Sequence, residues 1–247
     1  LSRGAPFAIG LRRGFDMRRF FVALAMLALG ACTQTNFRAQ DSLARGSESV
    51  QTPRILVMPI DVVLSELSFG GFPSPRADWT QAARGTMAKA LELELQEAEV
   101  DFVNFSGPET LPDDVARILR TNAAVGESIQ AHQYDGPAAL PTKKGTFDWS
   151  LGPEVAALRA GNDANYGLFF HVRDSYSSGA RVAAQVVAAV VFGVGLQGGV
   201  QVGLVSLVDL ETGKVVWFNR LLRGEGDLRT DGPARETMKM LLTGMPK

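Results

Sequence analysis

Few residues in this 247-residue chain are equipped for chemistry. The two histidines, His132 and His171, lie far apart, and neither has a carboxylate or cysteine at ligand spacing along the sequence. Each reads as an ordinary hydrogen-bonded histidine rather than a base or a metal ligand. Glu92, Glu94, Glu97, Glu99 and Asp101 crowd around one helix end. Paired carboxylates can do acid–base work, but these are spread around a helix with no histidine nearby, the pattern of a solvated face. Gly193-Val-Gly-Leu-Gln-Gly198 satisfies G-x-G-x-x-G. A dinucleotide site needs that motif to open a helix, so that the pyrophosphate meets the helix N-terminus. Here it runs into the strand-like stretch Val200–Leu210. No nucleophile elbow, P-loop or zinc-protease motif is present. The reading is therefore no catalytic residue, no metal, no cofactor, and a protein that is not an enzyme.

Cys32 is the exception, because its surroundings specify a reaction. It is the only cysteine, which excludes an intrachain disulfide and any multi-cysteine metal site. Upstream, Met17 is followed by Arg18 and Arg19, and then by an apolar run from Phe20 to Gly30. That is the length of a signal-peptide core and too short to span a bilayer. Leu29-Gly30-Ala31-Cys32 resembles a bacterial lipobox, whose small residues let a peptidase cut just before a diacylglyceryl cysteine. Residues 1–16 then read as a start-site over-extension, 17–31 as the lipoprotein signal peptide, and Cys32 as the lipidation site and mature N-terminus. Bacterial lipoproteins of this type carry three acyl chains, and at about 0.8 kcal/mol per buried methylene that is a firm anchor. Thr33 stands where an aspartate would signal inner-membrane retention. By resemblance to that sorting rule, the expected address is the outer membrane, lipid-anchored on its periplasmic face.

Composition agrees with a globular domain behind such an anchor. Apolar residues make up 46% and charged residues 21% of the chain. From Cys32 onward there are 20 basic and 25 acidic residues, a net charge of −5 that offers no footprint for nucleic acid. Residues 32–52 are polar and read as a flexible tether. The stretch from Arg54 to Leu64 suits a buried strand with a bulge or break at Pro59. Asp78 looks like an N-cap, with Gln81 completing a capping box, ahead of a helix burying Trp79, Ala82, Ala83, Met87, Ala90, Leu91 and Leu95. A short strand over 100–105 follows, then a helix from Pro112 that is broken near Gly126. The loop 134–152 is pinned by Tyr134, Phe147 and Trp149, and a short helix over 153–160 has Pro153 at its first position. Strands at 166–173, 200–210 and 214–222 come next, the last two joined by the hairpin turn Glu211-Thr212-Gly213. A final helix starts at Asp231. The fold class is α/β: a mixed sheet of about five strands with helices packed on it, in one domain over 53–247.

Asp209, Thr212, Gly213 and Trp217 sit in a strand ending Val-Asp-x-x-Thr-Gly that turns into a second strand with an early tryptophan. Together with the first strand Arg54-Ile-Leu-Val-Met-Pro and the strand from Tyr166, this resembles the periplasmic core of CsgG-like lipoproteins and relatives of the TolB N-terminal fold. The resemblance implies a non-enzymatic envelope lipoprotein that takes part in assembly, export or organisation of surface structures. Pore formers of that family insert amphipathic hairpins, which alternate polar and apolar residues. The corresponding stretch here, Val182 to Leu196, has only Gln185 as a polar residue and does not alternate.

That stretch reads either as a core element or as an apolar patch against the membrane or a partner, with Val186, Val187, Val190, Val191 and Phe192 as contact residues. The loop 65–77 is a second candidate contact surface. The leading expectation is an outer-membrane-anchored accessory that binds protein partners in envelope assembly or export, with a homo-oligomer open. One alternative is a small-molecule, peptidoglycan or lipid-binding module with Trp79, Trp149 or Tyr166 in its pocket. Another is an oligomeric CsgG-like secretion component. An enzyme would require His171 or His132 beside a carboxylate in a cleft.

Overall fold

Pro59 sets how the first central strand is built, because it has no N–H to give to a ladder. In the computed structural model, Ile55–Val57 (β2) and Asp61–Leu67 (β3) are two separate strands on either side of it. Both run parallel to the same long strand, Tyr166–Ser177 (β6), with Ile55 opposite Tyr166 and Asp61 opposite His171. The structure describes residues 33–40, 53–107, 111–134, 139–143, 145–161, 163–192, 199–224 and 226–246, with backbone alone for 186–192.

From β6 the sheet continues antiparallel through Gln201–Asp209 (β7), Val215–Arg223 (β8) and Gln34–Ala39 (β1). On the other side β2 pairs in parallel with Phe102–Asn104 (β5), while β3 pairs with the short Pro73–Pro75 (β4). The sheet is mixed, so the α/β class holds, with eight strands rather than about five. The added strands come from the Pro59 break, from β4, and from β1.

β1 corrects the tether expectation for residues 34–39. Its six residues are all exposed, so no apolar alternation marks them as a strand. What holds them is the free edge of β8, whose backbone groups need partners. Gln40 extends the match, giving its N–H to Val216 and its amide to the Val215 carbonyl. Tyr134 adds a hydrogen bond from its hydroxyl to the Asn36 carbonyl at 2.8 Å.

Helices cover both faces. Ala77–Glu97 (α1) and Asp231–Leu241 (α4) pack on one face over Val57, Leu168, Phe170, Val205 and Trp217. Asp113–His132 (α2) and the 3₁₀-helix Pro153–Arg159 pack on the other over Leu56, Phe169, Leu204, Val208 and Phe218. Neighbours on one strand feed opposite layers, as Trp217 and Phe218 do with at most 1% exposure each. Burying such a side chain fully stabilises the fold by about 2 kcal/mol. A fifth helix, Gly179–Phe192 (α3), links β6 to β7.

Two local expectations change. Asp78 is not the N-cap: α1 starts at Ala77, and no side chain caps it. Asp78 instead accepts from two of the three guanidinium nitrogens of Arg76, Nη2 at 3.0 Å and Nε at 3.1 Å. Arg76 also reaches Glu66 at 2.7 Å, so the helix start is tied to β3 by charge rather than by a capping box. The buried face of α1 omits Ala82, keeps Trp79 half-buried against the same core, and includes Thr80, whose hydroxyl accepts the Leu64 N–H. Nor does α2 break at Gly126. Gly126 is buried within the continuous helix, facing Leu204 and Phe218, which a Cβ would meet at the ordinary contact distances of 3.4 and 3.6 Å.

The 209–215 turn follows the sequence reading. Asp209 accepts the N–H groups of Glu211 and Thr212 through one oxygen, and Gly213 adopts φ 72°. Glycine is required twice over, since a Cβ would fall 2.1 Å from the Gly152 carbonyl.

Candidate functional site

Strand polarity decides what shares each end of the sheet. β1 starts where β8 ends, with Gln34 opposite Leu222. β8 ends where β7 starts, with Gln201 opposite Arg223, and β6 and β3 end together, with Ser177 opposite Leu67. One end therefore gathers the start of β1, the 68–72 turn between β3 and β4, and α3. Phe69 and Phe72 are 70% and 77% exposed on that turn, Val182 is 46% exposed on α3, and Leu222 is 41% exposed on β8. These are four of the six large apolar side chains exposed among the described residues. Arg181 of α3 donates to the Phe69 carbonyl at 3.2 Å, which links the helix to the turn. Cys32 lies outside the described residues, but it precedes Gln34 by two positions. Covalent geometry alone keeps its Cα within about 7 Å of the start of β1.

Val186, Val187, Val190, Val191 and Phe192 fall in the second half of α3, and their side chains lie outside the described part. The glycine motif 193–198 lies outside it as well. None of residues 179–185 is buried, so the described start of this helix is a surface element and not core. Among the described residues no helix is long and apolar enough to cross a membrane.

The second locus is one that sequence reasoning missed. His171 is not isolated: it stands beside a carboxylate in a cleft, the arrangement that the enzyme alternative requires. β3 and β6 are in register at Asp61 and His171, and the Asp61 carboxylate takes His171 Nδ1 at 2.7 Å. The same carboxylate holds the Arg173 guanidinium through two bonds, Nη1 to Oδ1 at 3.0 Å and Nη2 to Oδ2 at 2.9 Å. On the other side of the ring, Nε2 stands 3.4 Å from Glu127 of α2. Burial by itself would raise the Asp61 carboxyl. The hydrogen bonds from His171 and Arg173 outweigh it and hold the group down at about 2. This floor opens into a cleft of about 960 Å³ between α1 and α2, the size range of small-ligand sites. The signal available in the sequence was Asp61 and Arg173 in two apolar strands, a charge pair that pays off only if the strands are adjacent.

The aromatic residues considered as pocket walls are otherwise engaged. Both Arg76 and Arg229 stack on Trp79, at 4.5 and 4.4 Å from its centroid. Trp149 donates its ring N–H to Gln133 at 2.8 Å and carries Lys143 over its face at 4.6 Å. The cleft beside Trp149, about 880 Å³, is lined mostly by polar residues including Arg38, Asp148 and Lys214. Of the acidic residues near the end of α1, Glu94 and Glu97 both bind Arg235 of α4. They clamp two helices together. No group of three potential metal-ligating side chains occurs among the described residues.

No family model matches the chain, and no curated protein matches it. Solved structures that it resembles include the PelC dodecamer from Paraburkholderia phytofirmans, at 14% identity and a TM-score of 0.35 over 85% of this chain and 97% of that one. A point variant of the same dodecamer matches at 12% identity and the same TM-score, over 86% and 96% of the two chains. Likeness at this level assigns neither function nor assembly to the present chain.

Proposed function

We propose that this chain is an outer-membrane-anchored periplasmic lipoprotein, acylated at Cys32, whose α/β domain is a non-enzymatic accessory that binds protein partners in envelope assembly or export. The observation that carries the reading is the start of β1 two residues after Cys32. With so little chain between lipid and sheet, the domain is held at the membrane by one end and cannot range freely above it. Support comes from what that end exposes, namely Phe69, Phe72, Val182 and Leu222. Confinement raises the effective concentration of the domain at any complex on the same membrane. β1 and the short β4 and β5 are the sheet edges, and the outer side of β1 suits a partner strand or a second copy.

Expression from Met17 in a Gram-negative host, followed by native mass spectrometry from mild detergent, tests the reading. The expected mass is that of a triacylated chain beginning at Cys32. An unprocessed chain without lipid would overturn the proposal.

A further inference from the structure

The cleft above His171 has a charge pattern that its own carboxylates do not balance. Arg84 faces it from α1 and Arg120 from α2, and neither makes an ion pair among the described residues. Asp61 cannot serve them, because Arg173 and His171 already occupy both of its oxygens. Glu127 is the remaining carboxylate in the lining among the described residues, and it faces His171 Nε2. The chain from Cys32 onward has five more acidic than basic residues. Among the described residues the lining carries three arginines, Arg84, Arg120 and Arg173, against the two carboxylates of Asp61 and Glu127, an excess of positive charge that is not a by-product of a basic surface. Between Arg84 and Arg120 the walls are apolar, formed by Ile60, Phe105, Leu111 and Leu119, with Ala123 and Ala124 leaving room on α2.

We infer that this cleft binds an anionic amphiphile, a phosphate or carboxylate group on an apolar body. The acid lies between Arg84 and Arg120, and the apolar part lies against Leu111, Leu119 and Phe105. Guanidinium forks match both acid types with paired hydrogen bonds, which is why either head group fits. The ion pair at the floor fixes Arg173 and His171 in place, so the positive charge offered to the ligand is that of the two helix arginines. Nothing in this inference depends on Cys32 or on the membrane-facing end.

The test is calorimetric titration of the full chain in one fixed mild detergent, whether or not Cys32 is acylated. Hexyl phosphate and hexanoate are the amphiphilic probes, inorganic phosphate is the head group alone, and dihexanoyl phosphatidylglycerol is the lipid form. Saturable binding of hexyl phosphate or hexanoate is expected, tighter than that of inorganic phosphate. Tighter binding of the phosphatidylglycerol would identify a lipid head group as the source of the acid, and its exclusion a soluble one. Arg84→Gln and Arg120→Gln should each weaken binding by about tenfold or more, the worth of a charge-assisted hydrogen bond. Arg159→Gln, an exposed arginine on the 3₁₀-helix outside the cleft, should leave it unchanged. Neither cleft arginine makes an ion pair among the described residues, so far-UV circular dichroism of the variants should match the parent. Absence of saturable heat with every probe, or binding indifferent to both cleft substitutions, would overturn the inference.

Discussion

Replacing Asp61 with asparagine removes the charge on which His171 and Arg173 both rely, and the structure sets the size of the effect. The Asp61 carboxyl stands at about 2 in the folded chain against 3.8 for the free side chain. At 1.36 kcal/mol per unit this corresponds to about 2 kcal/mol of stability at neutral pH. The side chain is 33% exposed, so solvent screening brings the expected loss to between about 1 and 2 kcal/mol. The folded value is depressed, so the contribution is complete above about pH 4 and disappears as the pH falls toward 2. Urea denaturation of parent and Asp61→Asn across this range is the assay. The variant should be the less stable at pH 7, and the gap should close between about pH 4 and 2. A gap that stays constant down to pH 2 would show that packing, and not ionisation, was lost, and would refute the electrostatic reasoning.

Three further outcomes are expected. Burial pushes the Asp174 carboxyl up to about 6, against hydrogen bonds from Tyr176 and Gln201. The folded chain keeps a proton that the unfolded chain has released, so stability should fall by up to about 3 kcal/mol as pH rises from about 4 to 6, and Asp174→Asn should remove that slope in the same denaturation series. Gly213→Ala places a Cβ against the Gly152 carbonyl at positive φ, and should cost about 1–3 kcal/mol or more by chemical denaturation. Phe69→Ser with Phe72→Ser should leave folding stability within about 0.5 kcal/mol, since both side chains are exposed, while speeding release of the lipidated chain from vesicles.

The elements carried by apolar periodicity were legible in the sequence. The Pro59 break, the Asp209–Gly213 turn, the central strands and most of the core face of α1 follow from residues that behave alike in any sheet or helix. β1 was not legible, because an exposed edge strand is specified by the partner it completes and not by its own composition. The Asp61–His171–Arg173 cluster was hidden for a related reason. Its members are 110 and 112 positions apart, and their meeting depends on the register of β3 against β6, which no local pattern encodes. Phe69 and Phe72 lie in the loop marked as a contact surface, but only the hairpin formed with β4 turns both out to solvent.

The claim most in need of a direct measurement is that the sheet end bearing Phe72 faces the membrane. With the thiol of Cys32 acylated, Phe72→Cys provides a single site for a nitroxide label, and Thr212→Cys, at an exposed position of the 209–215 turn, provides one at the opposite end. Power-saturation electron paramagnetic resonance of the lipidated chain in vesicles compares the access of oxygen and of a nickel chelate to each label. The predicted result is a label at 72 that favours oxygen and a label at 212 that favours the chelate. Equal aqueous exposure of both labels would contradict the membrane-facing assignment.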